Sequence, residues 1–166
     1  RKRCLALAQA RWHDWMADDH VALIHDALDR FPADVAAVNE KLTMIHGDPR
    51  SDNILYRSDG QVVLLDWALV GHAHPAYDVG YLLSSSLSVE LGSSRTALVD
   101  GYLEVARGLG RDIDGDEFRA VVDATYRALA VQQLMSIAVL NNESYGEDSM
   151  YDLWVPRILA GLAAAW

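Results

Sequence analysis

Along the first 40 residues, apolar side chains recur every three or four positions, the period of a helix with one buried face. Leu5, Leu7, Ala8, Trp12, Trp15 and Met16 predict a helix over 4–16, and Val21, Leu23, Ile24, Ala27, Leu28 and Phe31 predict a second from Asp18 to Phe31. Pro32 lacks an amide hydrogen and is expected to end it, with 33–40 a short helix or turn. The texture then changes. Leu42, Met44 and Ile45, then Ile54 to Tyr56, then Val62 to Leu65 are short apolar runs broken by polar turns, which predict strands. Ser58-Asp59-Gly60 supplies the hairpin turn between the last two. Beyond Gly80 the helical period returns and predicts helices near 77–90, 95–109, 116–141 and 150–165, punctuated by Gly108 and Gly110. No repeat, low-complexity tract or linker rich in Pro, Gly or Ser divides the chain. The pattern predicts a single α+β domain over 1–166, mostly α, in which a helical body surrounds a small β-hairpin region.

Charge narrows the function classes. With 24 acidic and 14 basic side chains the formal net charge is −10, which argues against binding nucleic acid through phosphate neutralisation. No apolar run reaches the ~20 residues of a membrane helix, and the opening fifteen residues lack a long apolar core and a cleavage site. A soluble, unsecreted, cytoplasmic protein is expected. The single cysteine, Cys4, cannot form an intrachain disulfide and offers no metal cluster. The chain starts at Arg1 and not at methionine, which suggests a processed or trimmed chain, and its only lysines are Lys2 and Lys41.

The chemistry gathers at the hairpin. His46-Gly47-Asp48-Pro49-Arg50-Ser51-Asp52-Asn53 places an aspartate five residues before an asparagine between two apolar strands, the spacing H-x-D-x-x-x-x-N of a kinase catalytic loop. Such a loop needs a carboxylate to accept or orient the proton of an attacking hydroxyl, and a neutral amide oxygen to reach magnesium on the phosphates. Holding both on one tight turn fixes their separation before substrate arrives. Asp66 ends the run Val62-Val63-Leu64-Leu65, thirteen residues after Asn53, where a kinase keeps its main magnesium ligand. The simpler alternative is that Asp48, Asp52 and Asn53 are turn formers and Asp66 caps a strand.

The segment 46–53, followed by Leu65-Asp66-Trp67 and by Gly71-His72-Ala73-His74-Pro75-Ala76-Tyr77-Asp78-Val79, resembles the aminoglycoside phosphotransferase and choline kinase-like family of small-molecule kinases. The resemblance covers residues 42 to about 83. It implies a protein-kinase-like fold, with Asp48 as catalytic base, Asn53 and Asp66 as ligands of Mg2+, and His46 and Asp78 supporting the loop. ATP or GTP is the implied co-substrate. Ala73 and His74 depart from the Gly-Asp that many relatives carry before the proline. A larger departure is that no G-x-G-x-x-G precedes His46 and neither lysine has a V-A-I-K context. The chain is therefore expected to be the C-terminal lobe, with the nucleotide-clamping N-terminal lobe outside it, and to be inactive alone.

Other signals divide between chemistry and plain structure. Arg50 and Asp52 could touch phosphate or substrate, or form a local surface ion pair. His72 and His74 could suggest zinc, but no third ligand stands at suitable spacing; His13, His20 and His25 read as helix residues. Asp112, Asp114, Asp116 and Glu117 imitate a calcium loop, but the sixth position lacks glycine and the twelfth lacks glutamate, so Asp114 or Asp116 is expected to cap the next helix. Glu143, Glu147, Asp148 and Asp152 form either an acidic lip for a cationic acceptor or a solvated loop. Trp12, Trp15 and Trp67 read as core aromatics. The leading expectation is transfer of the γ-phosphate of ATP or GTP to a hydroxyl of a small molecule. The alternatives are a non-catalytic, kinase-derived scaffold and a helical regulator that binds basic partners.

Overall fold

The computed structural model describes residues 18–87, 94–139 and 149–163. The helix expected over 4–16 and the acidic positions Glu143, Glu147 and Asp148 lie outside the described residues. The elements run α1 (Asp18–Val38), β1 (Thr43–Ile45), β2 (Ile54–Tyr56), β3 (Val62–Leu64), β4 (Gly71–Ala73), α2 (Ala76–Ser86), α3 (Arg95–Gly108), α4 (Gly115–Val139) and α5 (Ser149–Ala163), with single 3-10 turns at Ser51–Asn53 and Trp67–Leu69. This is an α+β chain, mostly α, as the hydrophobic pattern predicts.

Pro32 does not end the first of these helices; α1 passes through it to Val38. A proline inside a helix forfeits one hydrogen bond and costs about 3 kcal/mol relative to alanine. Here Pro32 is exposed, while the residues after it recover the loss. Asp34 is buried against Arg127 of α4, Val38 joins the core, and the Val38 carbonyl accepts the His74 amide at 2.8 Å. Tertiary contacts outweigh the local breaker.

The long helix α4 is the centre of the body. Phe118, Val121, Val122, Thr125 and Leu129 are buried at helical spacing, and Ala124, Ala130, Val131 and Leu134 bury a second face. It accordingly packs against α1, α2 and α5. Gly80 lets α2 approach closely, since a Cβ there would stand 2.7 Å from Thr125 Cβ and 3.1 Å from the Val122 carbonyl oxygen. Asp114 starts α4 as expected: its Oδ1 accepts the amides of Asp116 and Glu117 at 2.9 and 3.1 Å, and those two bonds hold its carboxyl below the usual range.

The β region is two small antiparallel sheets. β2 and β3 form the expected hairpin, with Ile54 opposite Leu64 and Tyr56 opposite Val62. Its turn closes through Gly60 at φ 83° and the bonds Gly60 N–H to Arg57 O and Arg57 N–H to Gln61 O. β1 pairs with β4, Ile45 opposite Gly71 and Thr43 opposite Ala73. Gly71-His72-Ala73 has little strand propensity of its own, and its partner lies 28 residues away, so local pattern does not reveal it. Ile45 and Ala73 enter the core with Ala76, Leu83, Val99, Leu103 and Phe118, which ties the β region to the helices. Among the described residues no helix is long and apolar enough to cross a membrane.

Candidate active site

β1 delivers the chain into the loop 46–53, and Gly47 sets the loop's direction. It adopts φ +86°, and a Cβ there would collide with the Leu69 carbonyl oxygen. Glycine alone meets both conditions. Gly47→Ala is expected to cost at least about 1–2 kcal/mol from the left-handed backbone alone, a fall in melting temperature of roughly 2–4 °C per kcal/mol, and to displace Asp48. Thermal melting with a parallel activity assay checks this; an unchanged melt would remove the constraint.

Asp78, in the first turn of α2, holds the loop by its backbone. Its two oxygens accept the amides of His46 at 2.7 Å and Gly47 at 3.0 Å. His46 then bridges the two halves of the site. Its Nδ1 accepts the Asp48 amide at 3.3 Å, so the ring proton sits on Nε2 and is donated to the Leu65 carbonyl at 2.8 Å. The ring packs on Trp67, centroids 4.5 Å apart, and Trp67 Nε1 donates to the Leu64 carbonyl at 3.0 Å.

Asp48 is buried, with both carboxylate oxygens engaged. Arg50 Nε donates to Oδ1 at 2.9 Å. Asn53 Nδ2 donates to Oδ2 at 3.2 Å and to the Asp48 carbonyl at 2.9 Å. Both acceptors demand the amide nitrogen, which leaves the Asn53 amide oxygen as a neutral donor for a cation. Tyr81, one turn beyond Asp78 on α2, lies beside the Asp48 carboxylate; burial first, then its interaction with that carboxylate, pushes its hydroxyl well above the usual phenol range.

Asp66 comes next to Asn53 through the backbone, because the Leu65 amide donates to the Asn53 carbonyl at 2.8 Å. Asp66 is exposed and adopts φ 58° and ψ 68°, a left-handed conformation that costs a non-glycine residue about 1 kcal/mol or more and marks functional turns. Asn53 and Asp66 offer hard oxygen donors of the kind magnesium takes while keeping waters and phosphate oxygens as its other ligands. Asp52 is exposed on the same loop, where the Ser51 amide donates to Ser86 Oγ at 2.8 Å.

Not every candidate joins the site. His72 is exposed, whereas His74 is buried and accepts the Ala76 amide at 3.1 Å, so the two histidines face different surroundings. Among the described residues no group of three His, Cys, Asp or Glu could hold a metal. Burial pushes His74 below the usual imidazole range; Glu117 and Glu40 oppose the shift and Lys41 reinforces it. The folded protein therefore resists the proton that the unfolded chain accepts, and stability should fall as pH drops below about 6.5. Denaturant melts at pH 7.5 and 5.5 should show this slope in the wild type and a weaker one in His74→Gln. Equal slopes would contradict it. A cavity of about 690 Å³, lined by residues such as Met44, Asp78, Tyr102 and Arg111, borders the loop's anchor but includes none of Asp48, Asn53 and Asp66.

Sequence reasoning missed Tyr81 and the Leu65 carbonyl. Tyr81 had a signal, since it lies three residues from Asp78 on one helix face. The carbonyl had none.

A family model described as the phosphotransferase enzyme family matches residues 1–123. Comparison with curated proteins and with solved structures gives no match.

Proposed function

Because the chain belongs to the phosphotransferase enzyme family, we propose that it moves the γ-phosphoryl group of ATP or GTP to a hydroxyl of a small molecule. The observation that carries this reading is the buried carboxylate of Asp48, held on Oδ1 by Arg50 and on Oδ2 by Asn53, on a loop anchored by Asp78. Asp48 orients the acceptor hydroxyl and takes its proton as the acceptor oxygen bonds to phosphorus. The bond from phosphorus to the bridging oxygen breaks, and the nucleoside diphosphate leaves. Fixing the base before substrate arrives saves ordering entropy at the reacting centre. The Asn53 amide oxygen and the Asp66 carboxylate would hold magnesium, which supplies neutralisation of the charge that develops on the phosphoryl oxygens.

We assign the phosphate clamp to an N-terminal lobe, with this chain as the C-terminal lobe. No G-x-G-x-x-G occurs in the sequence, and Lys41 is paired with Glu117 at the start of α4. A cytoplasmic setting suits a reaction that consumes nucleoside triphosphate and uses magnesium. The test is a screen of the intact gene product against a library of hydroxyl compounds with MgATP and MgGTP, alongside calorimetry of nucleotide binding. Magnesium-dependent binding and a phosphorylated product are expected. Absence of both would favour the non-catalytic scaffold.

A further inference from the structure

Arg127 and Arg50 use their guanidinium groups differently. Arg127 spends Nε and Nη2 on the two oxygens of Asp34, at 3.0 and 2.7 Å. Arg50 spends Nε alone, on Asp48 Oδ1 at 2.9 Å, and its side chain is 31% exposed. Among the described residues its two Nη groups make no hydrogen bond, so a planar fork of donors remains at the edge of the base. The oxygens of the base are divided in a way that gives this fork a direction. Asn53, whose free amide oxygen belongs to the metal side, holds Oδ2; Arg50 holds Oδ1. In the phosphotransfer reading the metal and the phosphoryl group lie on the Asn53 side of Asp48, which would leave the Arg50 fork to the body of an acceptor whose hydroxyl is seated on Asp48.

We infer that Arg50 determines acceptor specificity by binding an oxyanion, a carboxylate or phosphate, that the acceptor carries close to the hydroxyl being phosphorylated. The inference rests on the phosphotransfer reading above. A guanidinium fork matches either oxyanion with two parallel hydrogen bonds and repels an ammonium group. The match strengthens during reaction. As Asp48 takes the hydroxyl proton it loses its charge, and the acceptor's oxyanion becomes the counter-charge of Arg50, a gain made mainly in the transition state.

The test uses four acceptors on one three-carbon skeleton: glycerate, glycerol 3-phosphate, glycerol and 3-amino-1,2-propanediol, assayed with MgATP and the intact gene product. Wild-type kcat/KM should favour the two anions over the amine by roughly ten- to hundredfold, the worth of a charge-assisted hydrogen bond. Arg50→Gln should bring that ratio close to one, chiefly by lowering kcat for the anions, and Arg50→Lys should restore part of it. Glycerate against glycerol 3-phosphate separates the two oxyanions. An equal loss on all four acceptors in Arg50→Gln would reduce Arg50 to a residue that only positions the base, and a wild-type preference for the amine would reverse the assignment. Transfer to none of the four also overturns it. Phosphotransfer itself is judged separately, by the hydroxyl screen, so the two failures are distinguishable.

Discussion

Asp48→Ala is expected to lower kcat by about 10²- to 10⁴-fold, the usual worth of a positioned general base, in a protein that remains folded. The loss should fall on turnover because, in the proposed reaction, this carboxylate takes the hydroxyl proton. The fold should persist because the groups that shape the loop keep other partners. Asn53 Nδ2 retains the Asp48 backbone carbonyl, the Asp48 amide still donates to His46, and Asp78 still holds the loop amides. Arg50, about a third exposed, can turn to water. Steady-state kinetics with a parallel melt checks both halves. Wild-type turnover in the variant would sink the assignment of the base.

The second large effect is on stability. Asp34 is 6% exposed at its side chain, and the Arg127 fork holds both of its oxygens. That pairing, with burial opposing it, raises Arg127 above its ordinary range. Arg127→Ala strands a buried carboxylate, and breaking a buried pair from one side costs about 3–5 kcal/mol. For a chain of this size that corresponds to a fall in melting temperature on the order of 10 °C. The double variant Asp34→Leu/Arg127→Met should recover most of the loss, since apolar replacement of a buried pair is often neutral. Denaturant titration of the single and double variants measures this. A loss under about 1 kcal/mol in Arg127→Ala would place the pair among ordinary surface bridges.

The two effects also mark what the sequence could and could not reveal. The placement of Asp48 and Asn53 on one loop, with Asp66 just beyond β3, was legible because it is set by spacing along the chain, and the helices over 95–108 and 115–139 were legible because their buried faces repeat at 3.6 residues. Pro32 misled because its local cost is offset by Asp34 and Val38, whose partners lie far along the chain. β4 stayed hidden because its pairing is supplied by β1. Tyr81, the single-nitrogen grip of Arg50 and the His46 to Leu65 bond depend on side-chain direction across elements, which periodicity does not encode. The acidic positions Glu143, Glu147 and Asp148 lie outside the described residues, so a cationic acceptor lip adds nothing to the account.

The most direct test of the central claim is transfer of labelled γ-phosphate from ATP to an acceptor hydroxyl, measured with and without Mg2+ in the wild type and in Asp66→Ala. Labelled phosphomonoester is expected from the wild type only when magnesium is present, and near-background label from Asp66→Ala. Label transferred by Asp66→Ala at the wild-type rate, or by the wild type with magnesium chelated, would contradict that claim.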